Sequence, residues 1–251
     1  MEELLDCGMD IGEQMLICGG EVHRVEDSLC RIFTALGANR TDVFIITTSM
    51  IVTVHTCDGK AFTQTRRITD TGIDFERLHQ LNQLSRQICE KKLSASEIRR
   101  ELSRIDRSKS YPFWLEWICY AVISGVFTLF FGGNIMEAVS ALCIGVIVRL
   151  LVILSDRMIG NRIFSKFISS FTATGLAYAV FCTGIIPEPH KVIIGGIMAL
   201  LPGIGLTNAI RDLFTGDSMA GLLRTIEACM TALAIAAGYF VFAMLSGGAA
   251  L

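Results

Sequence analysis

The sequence predicts an α-helical polytopic membrane protein with five transmembrane helices, preceded by an N-terminal cytoplasmic α+β domain. Charge density is the first reason. Residues 1–110 hold 15 Lys/Arg and 17 Asp/Glu, whereas the longer stretch 111–251 holds only 7 of each. Apolar length is the second. Beyond Tyr111 the apolar stretches run to about 20 residues, enough to cross a ~30 Å hydrocarbon layer at ~1.5 Å per residue. The predicted domains are therefore 1–110 and 111–251.

Composition narrows the function classes. The chain is 52% hydrophobic with a mean hydropathy of +0.53, above the ~45–50% apolar content of soluble domains. A formal net charge of −2 gives no footprint for a nucleic-acid partner. The opening MEELLDCGMD has neither a basic n-region nor an apolar h-region, so no cleaved signal peptide is expected. The nine cysteines are scattered without a C-x-x-C pair. Reduced thiols are expected rather than disulfides, with no metal site and no cofactor.

In the head, residues 2–18 and 21–36 have apolar spacing near 3.6 and read as two helices, broken at Gly19-Gly20 and stopped by Gly37. Residues 42–56 are rich in β-branched side chains and suggest two strands. Asp58-Gly59 signals a hairpin into a third strand, Ala61 to Arg67. A helix follows over 74–92, and Ser94-x-x-Glu97 opens another as a capping box. The spans are placed at about 113–131, 135–155, 164–186, 191–211 and 226–245, with a small-residue tail from Ser246 to Leu251.

Orientation follows from basic residues, which stay on the cytoplasmic side. Arg104, Arg107 and Lys109 precede the first span. Arg157, Arg162 and Lys166 lie between the second and third, and Arg211 and Arg224 between the fourth and fifth. The opposite face has Lys191. The N-terminus is expected inside and the C-terminus outside.

Two clusters carry chemistry. In the head, Glu21-Val-His-Arg-Val-Glu-Asp27 puts Glu21 with Arg24 (i, i+3) and His23 with Asp27 (i, i+4) on shared helix faces. Glu21, His23, Arg24, Glu26 and Asp27 read either as an ion-paired docking face or as a catalytic group. No H-x-x-H or H-E-x-x-H spacing supports metal binding.

The second cluster is in the fourth span. Pro202 lies ~16 Å along it from Lys191, close to the bilayer midplane, with Gly203 and Gly205 beside it. Proline removes a backbone donor and glycine weakens the helix. Two readings stay open: an ordinary kink, or a break whose bared peptide dipoles hold a polar solute. Thr207, Asn208, Arg211 and Asp212 follow. Gly216 suits a helix C′ position and Asp217 an N-cap, giving a tight hairpin across which Arg224 could reach Asp212 or Asp217. For Arg224 alone, the plainer reading is a charge snorkelling to the cytoplasmic edge. Arg149 lies ~9 Å deep in the second span, where an unpaired charge is costly; Glu116 and Glu227 are its candidate partners. Glu137 is read as interfacial.

The run Leu201-Pro-Gly-Ile-Gly-Leu-Thr-Asn-Ala-Ile-Arg-Asp212 with Thr215-Gly-Asp217, Gly221, Arg224 and Glu227-Ala228 resembles the bacterial threonine/serine exporter family. So do Gly20-Glu-Val-His-Arg-Val-Glu-Asp27 and Phe131-Gly-Gly-Asn134. Single-chain members of that family are expected to carry two sets of five spans after the head. This sequence is similar to the larger subunit of a split form, whose small all-membrane partner subunit is a separate chain.

The resemblance implies proton-driven export of threonine/serine or a short dicarboxylate such as succinate, across a bacterial inner membrane. It also allows a homo-oligomer of the heteromer. Asp212, Asp217 and Glu227 would serve protonation or gating, and Arg211, Arg224 and Arg149 anion attraction. The rival readings are a membrane-anchored hydrolase acting through His23, Glu26 and Asp27, and a regulatory or scaffold subunit.

Overall fold

A computed structural model describes residues 2–107 and 111–247 of the chain. Lys109, used above for orientation, and the last four residues of the small-residue tail lie outside the described residues. The chain divides into two compact units. One contains residues 2–107 together with Gly205–Thr225, and the other residues 111–204 and 226–247.

The first unit opens with α1 (Glu2–Ile17) and α2 (Val22–Ala35). They pack closely because α1 has no side chain at Gly8 and Gly12, one turn apart. A Cβ at Gly8 would lie 2.3 Å from the Phe33 ring, and one at Gly12 would lie 2.9 Å from Leu29. Strands β1 (Ala38–Ile46), β2 (Ser49–Thr56) and β3 (Ala61–Arg67) form an antiparallel sheet in sequence order. Val43 faces Val52, and Thr53 faces Thr63 with their hydroxyls 2.9 Å apart. The β2–β3 turn has Gly59 at φ +77°, as its Asp-Gly sequence predicts.

Met50, Val52 and Val54 alternate onto the buried face, where they meet Ile11, Leu29 and Phe33. Arg66 of β3 is clamped by Asp6, Asp10 and Glu13, which line one face of α1. Helices α3 (Phe75–Lys91) and α4 (Ala95–Arg107) complete this part. Asp74 caps α3 through the Arg77 N–H, and Glu97 accepts from the Ser94 N–H at the start of α4.

The second unit is helical. It contains α5 (Phe113–Phe130), α6 (Ile135–Ile159), α7 (Arg162–Cys182), α8 (His190–Met198) and the greater part of α10 (Ser218–Leu245). Small residues set the helix spacing, as is usual where apolar burial gives little drive for association. A Cβ at Gly195 of α8 would lie 2.0 Å from Thr128 Oγ1 on α5. At Gly238 of α10 it would lie 2.4 Å from the Phe167 carbonyl on α7.

Asn134 and Glu137 form a reciprocal capping box at the start of α6. Glu137 is fully covered by protein, with one carboxylate oxygen in that cap.

Among the described residues three helices are long and apolar enough to cross a membrane: Phe113–Phe130, Ile135–Met158 and Ser218–Leu245. A fourth crossing results if α8 and the following helix α9 (Gly203–Thr215) count as one bent span. The expected five are thus three or four by length and composition. Helix α7 falls short because Lys166 and several Ser and Thr residues dilute its apolar content. Ser165, Ser169, Ser170 and Thr174 are nevertheless buried, and the Ser170 hydroxyl donates to the Ile235 carbonyl at 2.7 Å.

If Gly195 of α8 and Gly145 of α6, where a Cβ would lie 2.6 Å from Ser124 Oγ on α5, hold these helices at contact distance, Gly145→Val and Gly195→Val will each lower the melting temperature of the detergent-solubilised protein. Overpacking of this kind costs about 1–3 kcal/mol. A melting curve unchanged by both would refute the close approach to α5.

Candidate functional site

The fourth span is broken. Helix α8 ends at Met198 and α9 starts at Gly203, with a bend of 61° between them. Proline explains the position: Pro202 has no N–H to continue the ladder, and it pushes Leu201 out of helical geometry. The freed groups are taken up locally, the Leu200 N–H by the Ile197 carbonyl and the Gly203 N–H by the Leu201 carbonyl. A side chain at Gly203 or Gly205 would meet nothing within 4 Å. Helix packing therefore does not account for those two glycines.

Helix α9 then places Asn208, Arg211, Asp212 and Thr215 at i, i+3, i+4 and i+7, on one face. Gly216 reverses the chain at φ +102°, and the Asp217 N–H returns to the Asp212 carbonyl at 3.0 Å. Helix α10 folds back so tightly that a Cβ at Gly221 would lie 2.8 Å from the Leu213 nitrogen.

The predicted hairpin is present, and Arg224 reaches across it to Asp212 at 2.9 Å. Snorkelling is therefore not its role. Arg224 is 16% exposed and Asp212 only 1%, so this pair is enclosed within the protein.

The loop joining α1 to α2 supplies the remaining partners. Gly19, at φ +88°, and Gly20 turn the chain and present their carbonyls. Asn208 donates to the Gly19 carbonyl at 3.3 Å and Arg224 to the Gly20 carbonyl at 2.9 Å. Asp212 also interacts with the backbone N–H of Val22, in the first turn of α2. Glu21 pairs with Arg211 rather than with Arg24. The head's motif and the span's motif thus meet in one cluster.

Two carboxylate oxygens in this cluster, Asp212 Oδ1 and Asp217 Oδ2, are buried with no hydrogen-bond partner. Next to Asp217, Glu26 accepts the Ile45 N–H at 3.0 Å. Burial raises the Glu26 carboxyl above its ordinary value, and the Asp217 carboxylate adds to this. The Ile45 N–H and His23 pull in the opposite direction.

The other expected residues lie apart from this cluster. His23 is exposed, and Asp27 pairs with Arg31 at i+4 rather than with His23. Of the three side chains of the hydrolase reading, Glu26 is thus committed to β1 and Asp27 to Arg31. Thr207 and Glu227 are exposed. Arg149 pairs with Glu116 and lies 5.3 Å over the Tyr120 ring, so of its two candidate partners the structure uses Glu116. Sequence reasoning missed the roles of the Gly19 and Gly20 carbonyls, because a backbone acceptor has no residue code.

These features describe a polytopic helical membrane protein whose broken span ends in a buried charge cluster. The family described as "Putative threonine/serine exporter" matches residues 6–246, and the chain belongs to that family. Its role is that of a transport protein rather than an enzyme.

Among curated relatives, the chain is 26% identical over 234 residues to the "Probable succinate transporter subunit YjjP" of Klebsiella aerogenes, covering 92% of this chain and 88% of that protein. It is 24% identical over 245 residues to the "Probable threonine/serine exporter" of Mycobacterium tuberculosis, covering 95% of this chain but only 45% of that one. No solved structure matches the chain.

Two expectations follow. Arg224→Met alone should destabilise the protein by about 3–5 kcal/mol, because it strands Asp212 without its cation. Arg224→Met with Asp212→Leu should recover most of that loss; equal melting temperatures for the single and double variants would contradict an enclosed pair. The second concerns Glu26, whose pKa is higher in the folded than in the unfolded chain. Its stabilising contribution is full below the unfolded carboxylate value and is lost as pH rises through the folded one. Thermal shift across that range should show a decline in wild type that is flatter in Glu26→Gln. Superimposable profiles would rule this out.

Proposed function

We propose that the chain is the larger subunit of a secondary exporter of small carboxylate-bearing metabolites, either threonine/serine or a short dicarboxylate such as succinate. Efflux is driven by the proton gradient, and a small membrane partner subunit completes the pathway. The enclosed Arg224–Asp212 pair at the far end of the broken span is the observation that carries this reading. A cation and an anion held together away from water can exchange partners with a charged solute without leaving a bare charge.

In the proposed cycle, the solute carboxylate takes Arg224 or Arg211 from its resident carboxylate, and a proton on Asp212, Asp217 or Glu227 neutralises the carboxylate left behind. Pro202, Gly203 and Gly205 allow α9 its direction and keep space open beside its first turn, while Thr207 and Asn208 offer polar contacts. The name of the Klebsiella relative, a succinate transporter subunit, supports both the carboxylate class and a heteromer.

Residues 1–110 are proposed to face the cytoplasm, in a bacterial inner membrane. The membrane domain of 111–251 is proposed to have five spans, with α7 as one of them. The burial of the α7 Ser and Thr residues supports this, since polar side chains turned into the bundle leave the apolar ones for lipid. With five spans the C-terminus lies outside.

Arg211→Ala and Asp212→Asn should each abolish efflux while leaving membrane insertion intact. Export from substrate-loaded cells, with protein in the membrane fraction quantified, checks this; normal efflux by both variants would remove the site. Proteoliposomes containing the chain alone should export far more slowly than those also containing the partner.

A further inference from the structure

The geometry points to a second solute-binding site, in the first unit, for a small α-amino or α-hydroxy carboxylic acid. A cavity of about 170 Å³ lies between the Gly19–Glu21 loop, α2, α3 and α9. That is far above the ~10–15 Å³ needed for one water and below the ~300–1,000 Å³ of drug-sized sites. It suits a single small metabolite.

Its lining combines one charge with an apolar wall. Glu21 is neutralised by Arg211, so Arg24, one helical turn further on, loses the carboxylate that local spacing offered it. Arg24 is an exposed residue of the lining; among the described residues it joins no ion pair, so its guanidinium is free to take an anion from solution. It sits on the first turn of α2, where the helix dipole also favours an anion.

Asn82 and Asn208 donate their amide hydrogens to the Leu78 and Gly19 carbonyls. Their side-chain oxygens remain as acceptors for a hydroxyl or ammonium. Phe75 and Leu78 supply the apolar surface.

One carboxylate satisfies Arg24. A second would find no cation left, since Arg24 is the one basic residue of the lining and Arg211 is already matched by Glu21, so a dianion is disfavoured and an acid with a neighbouring hydrogen-bond donor is preferred. Asn208 belongs both to this lining and to the α9 face carrying Arg211 and Asp212, so occupancy of the cavity is felt by the helix of the transport site. That last link rests on the function proposed above; the binding site itself does not.

Equilibrium binding to the purified full-length chain, read by titration calorimetry and by a Phe75→Trp reporter, tests this with L-threonine and succinate as probes. Saturable L-threonine binding is expected, with succinate about tenfold weaker or worse. Arg24→Ala should weaken L-threonine by about tenfold or more, as loss of a charge-assisted hydrogen bond does, and Arg24→Lys should keep most of the affinity. Absence of saturable binding, wild-type affinity in Arg24→Ala, or succinate bound as tightly as L-threonine would each overturn the assignment. The readout is binding, so it is independent of efflux: a chain that binds L-threonine through Arg24 but does not export it would sink the transport reading and keep this site, and one that exports without Arg24-dependent binding would do the reverse.

Discussion

Arg224 needs a full set of acceptors in a place where water supplies almost none, and much of the surrounding architecture follows from that need. Its guanidinium spans Asp212 on one side and the Gly20 carbonyl on the other. To reach Asp212, helices α9 and α10 must nearly touch, which Gly221 permits by having no side chain. To reach Gly20, the α1–α2 loop must leave a carbonyl unspent, which an unbroken helix could not do, since its interior carbonyls are all engaged four residues on. The glycine pair after α1 therefore contributes an acceptor as well as a turn.

Pro202 acts one step upstream. By ending α8 it releases α9 to leave at its own angle, so the charged face of α9 is not bound to continue the apolar rod before it. The broken backbone satisfies its own donors within a few residues. Under the proposed function, polar recognition therefore falls to the side chains from Asn208 to Arg224 rather than to bare peptide dipoles at the break.

Regular elements were legible because their signals are local. The Asp58-Gly59 hairpin, the Ser94/Glu97 cap and the Gly216 reversal each depend on residues within a few positions of one another. The failures share a cause as well. Glu21 and Arg24 stand at ideal helical spacing, but such a pair is worth only ~0.2–0.5 kcal/mol in isolation, and Arg211, far along the chain, takes Glu21 instead. The position of Glu137 in the span was visible, but its reciprocal cap with Asn134 was not. Helix α7 matched a span in length, but its serines and threonines lowered its apolarity. Their burial is a property of the neighbours, which a single segment cannot report. Gly8 and Gly12 are contact points for Phe33 and Leu29, a role that no local pattern within α1 reveals.

Under the proposed function, the arginines would handle anions without trapping them. Arg149, Arg211 and Arg224 are each already held by a carboxylate, respectively Glu116, Glu21 and Asp212. An incoming carboxylate must displace a resident one of the same chemistry, so the net gain per contact is small and the bound state is escapable. Passage requires this: a site must be attractive enough to enter and weak enough to leave. Arg24 differs, because no resident carboxylate competes for it. Exchange suits a group on a transport path, whereas retention suits a group that reads the presence of solute. The same side-chain chemistry can thus serve two roles in one chain, separated by whether the positive charge is already matched.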